Sequence, residues 1–349
     1  MTLAAIDQTG QGRYIPAQWI AVTIGGSKGF ARMSFYPRDV AGPVAAAGPV
    51  IEWEEPNCLL CGGRDWSPLV EAPDTTAGGT GLWFAVVQCQ VCGLCFTNPR
   101  PTSEAIGQFY PPVYRPHRTS TSQRRRCWLP TWLTTRRSRH KERQELPWQG
   151  RRRLLDFGCG GGSFMARMHR QGWQVTGLDV SVAAIQRIRT ELGLRGFVGT
   201  LPYPEFRPAS FDVITMWHSL EHVHAPLEVL QEAHRLLVPG GKLLVAVPNI
   251  DSLPFHWFGS AWYGLDLPRH LTHFAPWTLH LMLERAGFSV GPIRMVRHSD
   301  WLRSSAKLAH RKEKWAPWQW LRRKPASRLA AWYCYLSGQS DCMIVTAVR

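Results

Sequence analysis

Residues 151–298 combine two hydrophobic periods. Short apolar runs have the length of buried strands and lie at residues 154–157, 173–179, 211–216 and 242–247. Segments with apolar positions at helical spacing lie at residues 163–171, 181–192, 227–237 and 277–286. Two more strands are predicted, at residues 290–296 and 342–347. Strands that alternate with helices predict an α/β fold, a mostly parallel sheet with helices on both faces.

The rest of the chain differs from this central part in composition and in hydrophobic periodicity. We divide the sequence into a poorly ordered extension, a Cys-rich module, a basic linker, an α/β domain, and a basic Trp-rich segment that includes the last strand. These parts are residues 1–56, 57–100, 101–150, 151–298 and 299–349. The extension is assigned from its Ala, Gly and Pro content and its lack of a sustained period.

Composition narrows the class of protein. The chain has 349 residues and is 44% hydrophobic, which is ordinary for a globular protein. It has no apolar run long enough for a transmembrane segment and no secretory signal pattern, so we expect a cytoplasmic protein. The net charge of +16 is concentrated in residues 115–153 and 294–328. Such patches attract nucleic acid, anionic lipid or nucleotide-linked substrates, or they form a solvated surface.

Two cysteine pairs predict a metal site. The chain has nine cysteines, and four of them form the pairs Cys58-x-x-Cys61 and Cys89-x-x-Cys92, each followed by glycine. In a chain without an export signal, this spacing favours metal binding over disulfides. Four thiolates complete a tetrahedral zinc site with no open position, so the zinc is expected to be structural. The alternative is a reduced loop without metal.

A glycine-rich turn indicates a cofactor site. The strand at 154–157 runs into Gly158-Cys-Gly160-Gly-Gly162 and then into a helix, an arrangement that brings backbone N–H groups against a ligand. About twenty residues later the next strand ends in Asp179, where a carboxylate can accept hydrogen bonds from both hydroxyls of a ribose. The loop, the spacing and the acid together predict a nucleotide-type cofactor.

Four motifs in this domain resemble those of class I S-adenosylmethionine-dependent methyltransferases. They are Asp156 ahead of the glycine loop and the segments 211–223, 236–245 (LLVPGGKLLV) and 283–288 (LERAGF). The resemblance implies a Rossmann-like sheet and S-adenosylmethionine as cofactor. It also implies that Asp156 holds the amino-acid end of the cofactor, that the loop of Gly158, Gly160 and Gly162 passes under it, and that Asp179 binds its ribose.

The Cys-rich module extends the resemblance. A four-cysteine module that ends in Cys92-Gly-Leu-Cys-Phe-Thr-Asn-Pro-Arg-Pro101 and precedes such a domain is similar to bacterial methyltransferases associated with sugars and polysaccharides. The resemblance implies a small zinc ribbon in front of the sheet. It also implies O- or C-methylation of a small-molecule or glycan-type acceptor, for example a nucleotide-linked sugar.

Three ionisable residues follow the predicted strand at 211–216, which corresponds to the fourth strand of the methyltransferase family that this domain resembles. His218, Glu221 and His222 have i, i+3 and i+4 spacing, which places them on one face of a helical turn. They are candidates for a catalytic base with its orienting partner, or for ligands of a divalent metal. The cluster resembles the Glu-x-x-Glu-His of quinone-biosynthesis O-methyltransferases, with His218 in the first position. Alternatively, Glu221 and His222 only stabilise the turn.

A second histidine cluster lies in residues 267–274. His270 is a further catalytic candidate, because sugar C-methyltransferases that resemble this layout use a histidine of the corresponding segment as base. His273 lies one turn further on, and Arg269 offers a bidentate contact to an anion. The alternative is an ordered loop held by packed histidines.

Three other functions compete with methylation of a small acceptor. The first is an RNA methyltransferase, which would use the zinc module and the basic linker to bind RNA. The Asn-Pro-Pro-Tyr type of motif found in base-methylating enzymes is missing after the fourth strand, so nucleic acid is not the favoured partner. The second is a binding protein that keeps the cofactor fold without catalysis. The third is peripheral membrane contact through residues 301–336, which are rich in Trp, Arg and Lys; the alternative there is a helical cap on the domain.

Overall fold

The computed structural model describes residues 51–74, 81–110, 150–312 and 318–349. Most of the predicted extension and most of the basic linker lie outside the described residues. Strand β1 (Trp53–Glu54) falls within the residues predicted as extension. It pairs antiparallel with β5 (Arg100–Pro101), so regular structure begins ahead of the Cys-rich module.

An eight-stranded sheet forms the centre of the protein, in the order β12-β14-β10-β9-β6-β7-β8, with β13 also paired to β14. Its strands are β6 (Arg153–Phe157), β7 (Gln174–Asp179), β8 (Arg195–Val198), β9 (Phe211–Trp217), β10 (Leu237–Pro248), β12 (Ser289–Val290), β13 (Arg294–Val296) and β14 (Cys342–Val348). Strands β6 to β10 pair in parallel, and β14 runs antiparallel to β10. The predicted α/β sheet is confirmed, whereas the strand predicted at residues 290–296 is divided between β12 and β13.

Seven α-helices accompany the sheets in the described residues. They are α1 (Ser163–Arg170), α2 (Val182–Glu191), α3 (Pro226–Leu236), α4 (Leu253–Phe258), α5 (Pro276–Arg285), α6 (Ser299–Lys312) and α7 (Lys324–Leu336). Proline at the first position starts α3 and α5, where its missing N–H costs no helical bond. Ser181 caps α2 by accepting a hydrogen bond from the Ala184 N–H at 3.2 Å.

The central sheet is covered on both faces. Neighbouring residues of β9 show this, because side chains alternate along a strand. Ile214 packs into a hydrophobic cluster with residues of α3 and α5. Val213 packs on the opposite face, against residues of α1 and α2. The continuous apolar run at 211–216 follows from burial on both sides.

The Cys-rich module shares a sheet with a segment from the far end of the α/β domain. Strands β2 (Trp66–Pro73), β3 (Trp83–Cys89), β4 (Cys95–Thr97) and β11 (Thr272–His273) form a four-stranded antiparallel sheet in the order β11-β4-β3-β2. In the β4–β11 pair, Thr272 lies opposite Phe96 and His273 opposite Cys95. Backbone hydrogen bonds therefore join the predicted zinc module to the loop that carries His270.

A buried ion pair holds that loop. The guanidinium of Arg269 donates through Nε to Asp266 Oδ2 at 3.0 Å and through Nη2 to Oδ1 at 2.5 Å. Its Nη1 donates to the Phe109 carbonyl at 3.0 Å. The bidentate anion contact predicted for Arg269 is therefore made inside the protein, with Asp266.

The C-terminal helices pack on the body of the protein through a small apolar face. Leu302 and Ala306 of α6 and Ala330 and Ala331 of α7 are buried in one cluster. The outer face of α7 exposes apolar side chains: Leu329, Trp332, Tyr333, Tyr335 and Leu336. The arrangement agrees with the helical-cap alternative, while membrane contact of the exposed face stays a prediction. None of the described helices is long and apolar enough to cross a membrane.

Substitution tests whether position 158 requires glycine. Gly158 has φ +69°, and an added Cβ would collide with the Ser219 side chain. We expect Gly158→Ala to lower the free energy of unfolding by about 3 kcal/mol or more, from backbone strain and the collision together. Gly193→Ala is the matched control, because Gly193 has φ +63° with no atom within 4 Å of an added Cβ. Its cost is the strain alone, about 1–2 kcal/mol. Urea unfolding measures both; equal losses would contradict the collision.

Candidate functional site

The glycine loop joins β6 to α1 at the carboxyl edge of the sheet. Gly158, Gly160 and Gly162 all have left-handed backbone, with φ of 69°, 50° and 71°. The N–H of Gly160 donates to Asp179 Oδ2 at 2.8 Å, and the N–H of Ser181 donates to Oδ1 at 2.9 Å. The buried carboxylate of Asp179 therefore fixes the loop to the end of β7.

The other side of the loop packs against the segment that follows β9. Asp156 is buried and accepts a hydrogen bond from Thr215 Oγ1 at 2.7 Å. Ser219 Oγ donates to the Phe157 carbonyl at 2.9 Å. We explained Gly158 from sequence by close approach of a ligand. In the structure the space that a side chain would need at Gly158 is occupied by Ser219.

These residues fit a nucleoside-containing cofactor. Asp179 accepts backbone hydrogen bonds at both of its oxygens, and a carboxylate oxygen has two lone pairs, so a group of this kind suits recognition of ribose hydroxyls. The loop leads into the N-terminus of α1, whose N–H groups lie at the carboxyl edge of the parallel strands. Ligands of open α/β sheets bind at this edge.

A buried carboxylate lies beside the loop. Glu221 belongs to a short 3₁₀ turn at Leu220–His222 and has no solvent exposure. Its Oε1 is 3.4 Å from His218 Nδ1. Neither of its oxygens accepts a hydrogen bond from the described residues, including the N–H groups of the turn. Glu221 therefore does not cap the turn by hydrogen bonding, while stabilisation of the turn through the contact with His218 remains the alternative to a catalytic role.

His222 and His270 converge on Glu221. One ligand atom from each of the three residues lies within 4.8 Å of the other two. His222 Nδ1 is 3.0 Å from the Arg269 carbonyl, and His270 Nδ1 is 2.8 Å from the Gly264 carbonyl. A carbonyl only accepts, so both Nδ1 atoms carry hydrogen, and in a neutral ring of this tautomer the lone pair lies on Nε2.

The electrostatics suit a proton acceptor. Burial, together with the charge of His270, lowers the pKa of His222 to about 4, so the imidazole is neutral at physiological pH. Burial raises the pKa of Glu221, but the contact with His218 and the electrostatic attraction of the surrounding histidines outweigh this effect and lower the pKa overall. An ionised carboxylate beside two imidazole lone pairs can receive a proton or hold a divalent cation.

Tyr110 also reaches this cluster, and sequence analysis missed it. Its hydroxyl is 3.0 Å from His222 Nδ1. Burial raises its pKa above the ordinary value, which keeps the phenol protonated. The residue falls in the segment predicted as linker, and no local motif marks it as part of a site 112 residues further along the chain.

His273 has a different position from His270. Its Nε2 is 3.1 Å from Thr97 Oγ1, which itself donates to the His270 carbonyl at 2.7 Å. The hydroxyl hydrogen is used in that bond, so His273 donates to Thr97. Burial and the charge of His270 lower the pKa of His273 to about 3. His273 thus ties β11 to β4, while His270 faces Glu221.

The four paired cysteines come together in the N-terminal module. The sulfur of Cys58 lies 3.3 Å from that of Cys92, and the sulfur of Cys61 lies 3.6 Å from that of Cys89. A tetrahedral zinc ion with Zn–S bonds of about 2.3 Å separates its sulfurs by about 3.8 Å. The cluster therefore has nearly the dimensions of a zinc site, and its sulfurs fit that ion. Cys95 is outside the group.

Comparison with known proteins identifies a family model and several relatives that match this chain. A family model described as a methyltransferase domain matches residues 122–292. The ubiquinone biosynthesis O-methyltransferase of Xanthomonas euvesicatoria is 31% identical over 173 residues, which are 46% of this chain and 72% of that protein. The enzyme of the same name from Vibrio cholerae is 38% identical over 104 residues, 28% of this chain. That match spans only 42% of the Vibrio protein, less than half of its length.

Solved methyltransferase structures align with more than half of this chain. An S-adenosylmethionine-dependent methyltransferase from Mesorhizobium loti aligns with 58% of this chain and 94% of its own, at 21% identity and a TM-score of 0.42. One from Methanosarcina mazei covers the same shares at 18% identity, also with a TM-score of 0.42. With the sheet order and the relative from Xanthomonas, the assignment is plain. The chain belongs to the class I S-adenosylmethionine-dependent methyltransferase family.

Proposed function

We propose that the protein transfers a methyl group from S-adenosylmethionine to a hydroxyl oxygen of a small-molecule acceptor. The observation that carries the proposal is the Asp179 carboxylate bound to the glycine loop at the end of β7. S-adenosylmethionine supplies, when bound, a methyl group on a positively charged sulfur. Asp179 would accept hydrogen bonds from its ribose, and Asp156 with Gly158, Gly160 and Gly162 would hold its amino-acid end.

The carboxylate–imidazole cluster supplies the base. An alcohol or phenol is a better nucleophile once its proton is removed, and a neutral imidazole can remove it. His222 Nε2 would accept the proton, because Arg269 and Tyr110 hold its Nδ1 side. Glu221 stabilises the imidazolium that forms. His270 lies edge-on to His222, with ring centroids 4.6 Å apart, and would bind or orient the acceptor.

Two observations bear on the chemical class of the methyl acceptor. The names of the relatives from Xanthomonas and Vibrio contain O-methyltransferase and ubiquinone biosynthesis, which favours an oxygen acceptor on a quinone-type ring. The four-cysteine module resembles that of sugar-associated enzymes, which favours a nucleotide-linked sugar. Both acceptors offer a hydroxyl, so we propose oxygen as the methylated atom. A screen with catechols, nucleoside diphosphate sugars and RNA separates the classes, and methylation of RNA alone would overturn the small-molecule assignment.

Zinc in the four-cysteine cluster is part of the proposal. Its expected effect is to hold the two cysteine turns together and, through them, the β3–β4 hairpin. Purified wild-type protein should contain this zinc, and Cys58→Ser should hold one zinc equivalent fewer per chain and melt at lower temperature. Cys95→Ala is the control, because Cys95 is buried nearby without belonging to the cluster. Equal zinc content in wild type and Cys58→Ser, measured by mass spectrometry, would contradict the site.

Cofactor binding is tested by calorimetry. Asp179→Ala removes a charged acceptor, and hydrogen bonds to charged groups contribute about 1.5–3 kcal/mol each. We expect S-adenosylmethionine to bind Asp179→Ala about 30-fold or more weakly than wild type. Asp251→Ala is the control, because its carboxylate is 64% exposed and pairs with His256, at 3.8 Å. Unchanged affinity in a folded Asp179→Ala protein would refute the assigned cofactor site.

The base is tested with the best acceptor of the screen. His222→Gln keeps a polar side chain of similar size but cannot take up the proton, and loss of a general base typically slows the reaction about 10²- to 10⁴-fold. We expect kcat to fall by this amount while the Kd for S-adenosylmethionine stays within a few-fold of wild type. His280→Gln, in an exposed position on α5, should leave kcat unchanged. A kcat for His222→Gln near the wild-type value would exclude His222 as base.

A further inference from the structure

Three chain segments bring nitrogen and sulfur ligands together at the carboxyl edge of the sheet. His218 follows β9, and its N–H donates to the Ala246 carbonyl of β10 at 2.9 Å. Cys342 starts β14 and lies opposite Pro248, the last residue of β10. His298 lies between β13 and α6, two residues after the end of β13. The strand pairing, rather than a local motif, makes these side chains neighbours.

The distances suit a metal ion. His218 Nε2 is 3.9 Å from Cys342 Sγ, and one ligand atom of each of the three residues lies within 4.8 Å of the others. In a tetrahedral zinc site with Zn–N of about 2.0 Å and Zn–S of about 2.3 Å, the nitrogen and sulfur are about 3.5 Å apart. Small side-chain adjustments therefore suffice to bring the three ligands onto one ion.

The surroundings orient the ligands. Glu221 Oε1 lies 3.4 Å from His218 Nδ1, which directs the other ring nitrogen toward Cys342. A carboxylate behind a ligating histidine is the usual outer partner in metal sites. The Trp301 ring stacks on His298 at 4.9 Å and lies 5.2 Å from the ring of His218. His218 also has φ +54°, a conformation that non-glycine residues rarely adopt and that is concentrated at functional sites.

We propose that His218, His298 and Cys342 bind a zinc ion, separate from the four-cysteine cluster. Two imidazoles and a thiolate are a donor set that zinc prefers, and the Cys342 thiol releases its proton when the metal binds. Three protein ligands leave the fourth tetrahedral position open to water or to an oxygen of an acceptor. The site does not depend on the proposed methyl transfer, because it is defined by metal binding alone.

Metal content tests the site. Wild type, Cys342→Ala and Cys334→Ala are loaded with Zn²⁺ and dialysed, and zinc per chain is then measured by mass spectrometry. Cys334 is the matched control, because it is equally buried and belongs to no metal-binding group of the described residues. We expect Cys342→Ala to hold one equivalent fewer than the other two proteins. Equal content in wild type and a folded Cys342→Ala overturns the proposal; if that variant does not fold, His298→Gln is compared with wild type by the same criterion.

A spectroscopic measurement separates this site from the four-cysteine cluster. The higher-affinity cluster is first filled with one equivalent of Zn²⁺, and Co²⁺ is then added to the full-length protein. A sulfur-to-cobalt charge-transfer band is expected in wild type and in Cys334→Ala, and it should be lost in Cys342→Ala and greatly weakened in His298→Gln. Absence of the band in wild type, or its persistence in Cys342→Ala, would show that Cys342 is not a ligand.

Discussion

The antiparallel pairing of β4 with β11 is the constraint on which the arrangement of the site depends. The Thr97 N–H donates to the Leu271 carbonyl at 3.0 Å, and the Leu271 N–H donates to the Glu221 carbonyl at 2.8 Å. The first bond connects the Cys-rich module to the loop before β11. The second bond connects that loop to the turn that carries the buried carboxylate of Glu221. Backbone bonds of this kind have fixed length and direction, so the module determines where His270 lies relative to His222. With zinc bound as proposed, the four-cysteine cluster would stabilise β3 and β4 and would therefore act on the site from a distance.

Two buried carboxylates near the cofactor loop differ in the groups that surround them. The difference suits different roles. Asp179 is held by two backbone N–H groups, which makes it a rigid anchor. Glu221 lacks hydrogen bonds from the described residues and is surrounded by imidazoles instead. Burial of an ionised group without such bonds costs several kcal/mol, which the rest of the fold must offset. Proteins retain such costs mainly where chemistry needs them, which supports the proposed role of Glu221 beside the base.

The sequence predicts those parts of the fold and the site that short motifs and hydrophobic periodicity specify. The glycine loop, Asp179 and the cysteine pairs are short motifs whose residues lie close together along the chain, and the parallel sheet follows from its alternating periods. The pairing of β11 with β4 was not predictable, because a two-residue strand has no periodicity and its partner lies far away in sequence. Cys342 reaches its neighbours through the pairing of β14 with β10, and Tyr110 reaches His222 through a hydroxyl contact between residues 112 positions apart. The internal use of Arg269 was missed for a related reason, since sequence does not show that Asp266 folds back onto it.

Glu221 stands between the two proposed centres and links their chemistry. On one side it faces His218, whose Nε2 points to Cys342; on the other it faces His222 and His270. A metal on His218 Nε2 would fix the ring hydrogen on Nδ1, directed at Glu221, and so supply the hydrogen bond that the carboxylate otherwise lacks. With that donor in place, the Glu221 carboxylate would be hydrogen-bonded, and Nε2 of His222 would remain available to the acceptor. The ion at His218 would thus act on methyl transfer indirectly, by holding the carboxylate of Glu221 in place beside the proposed base His222.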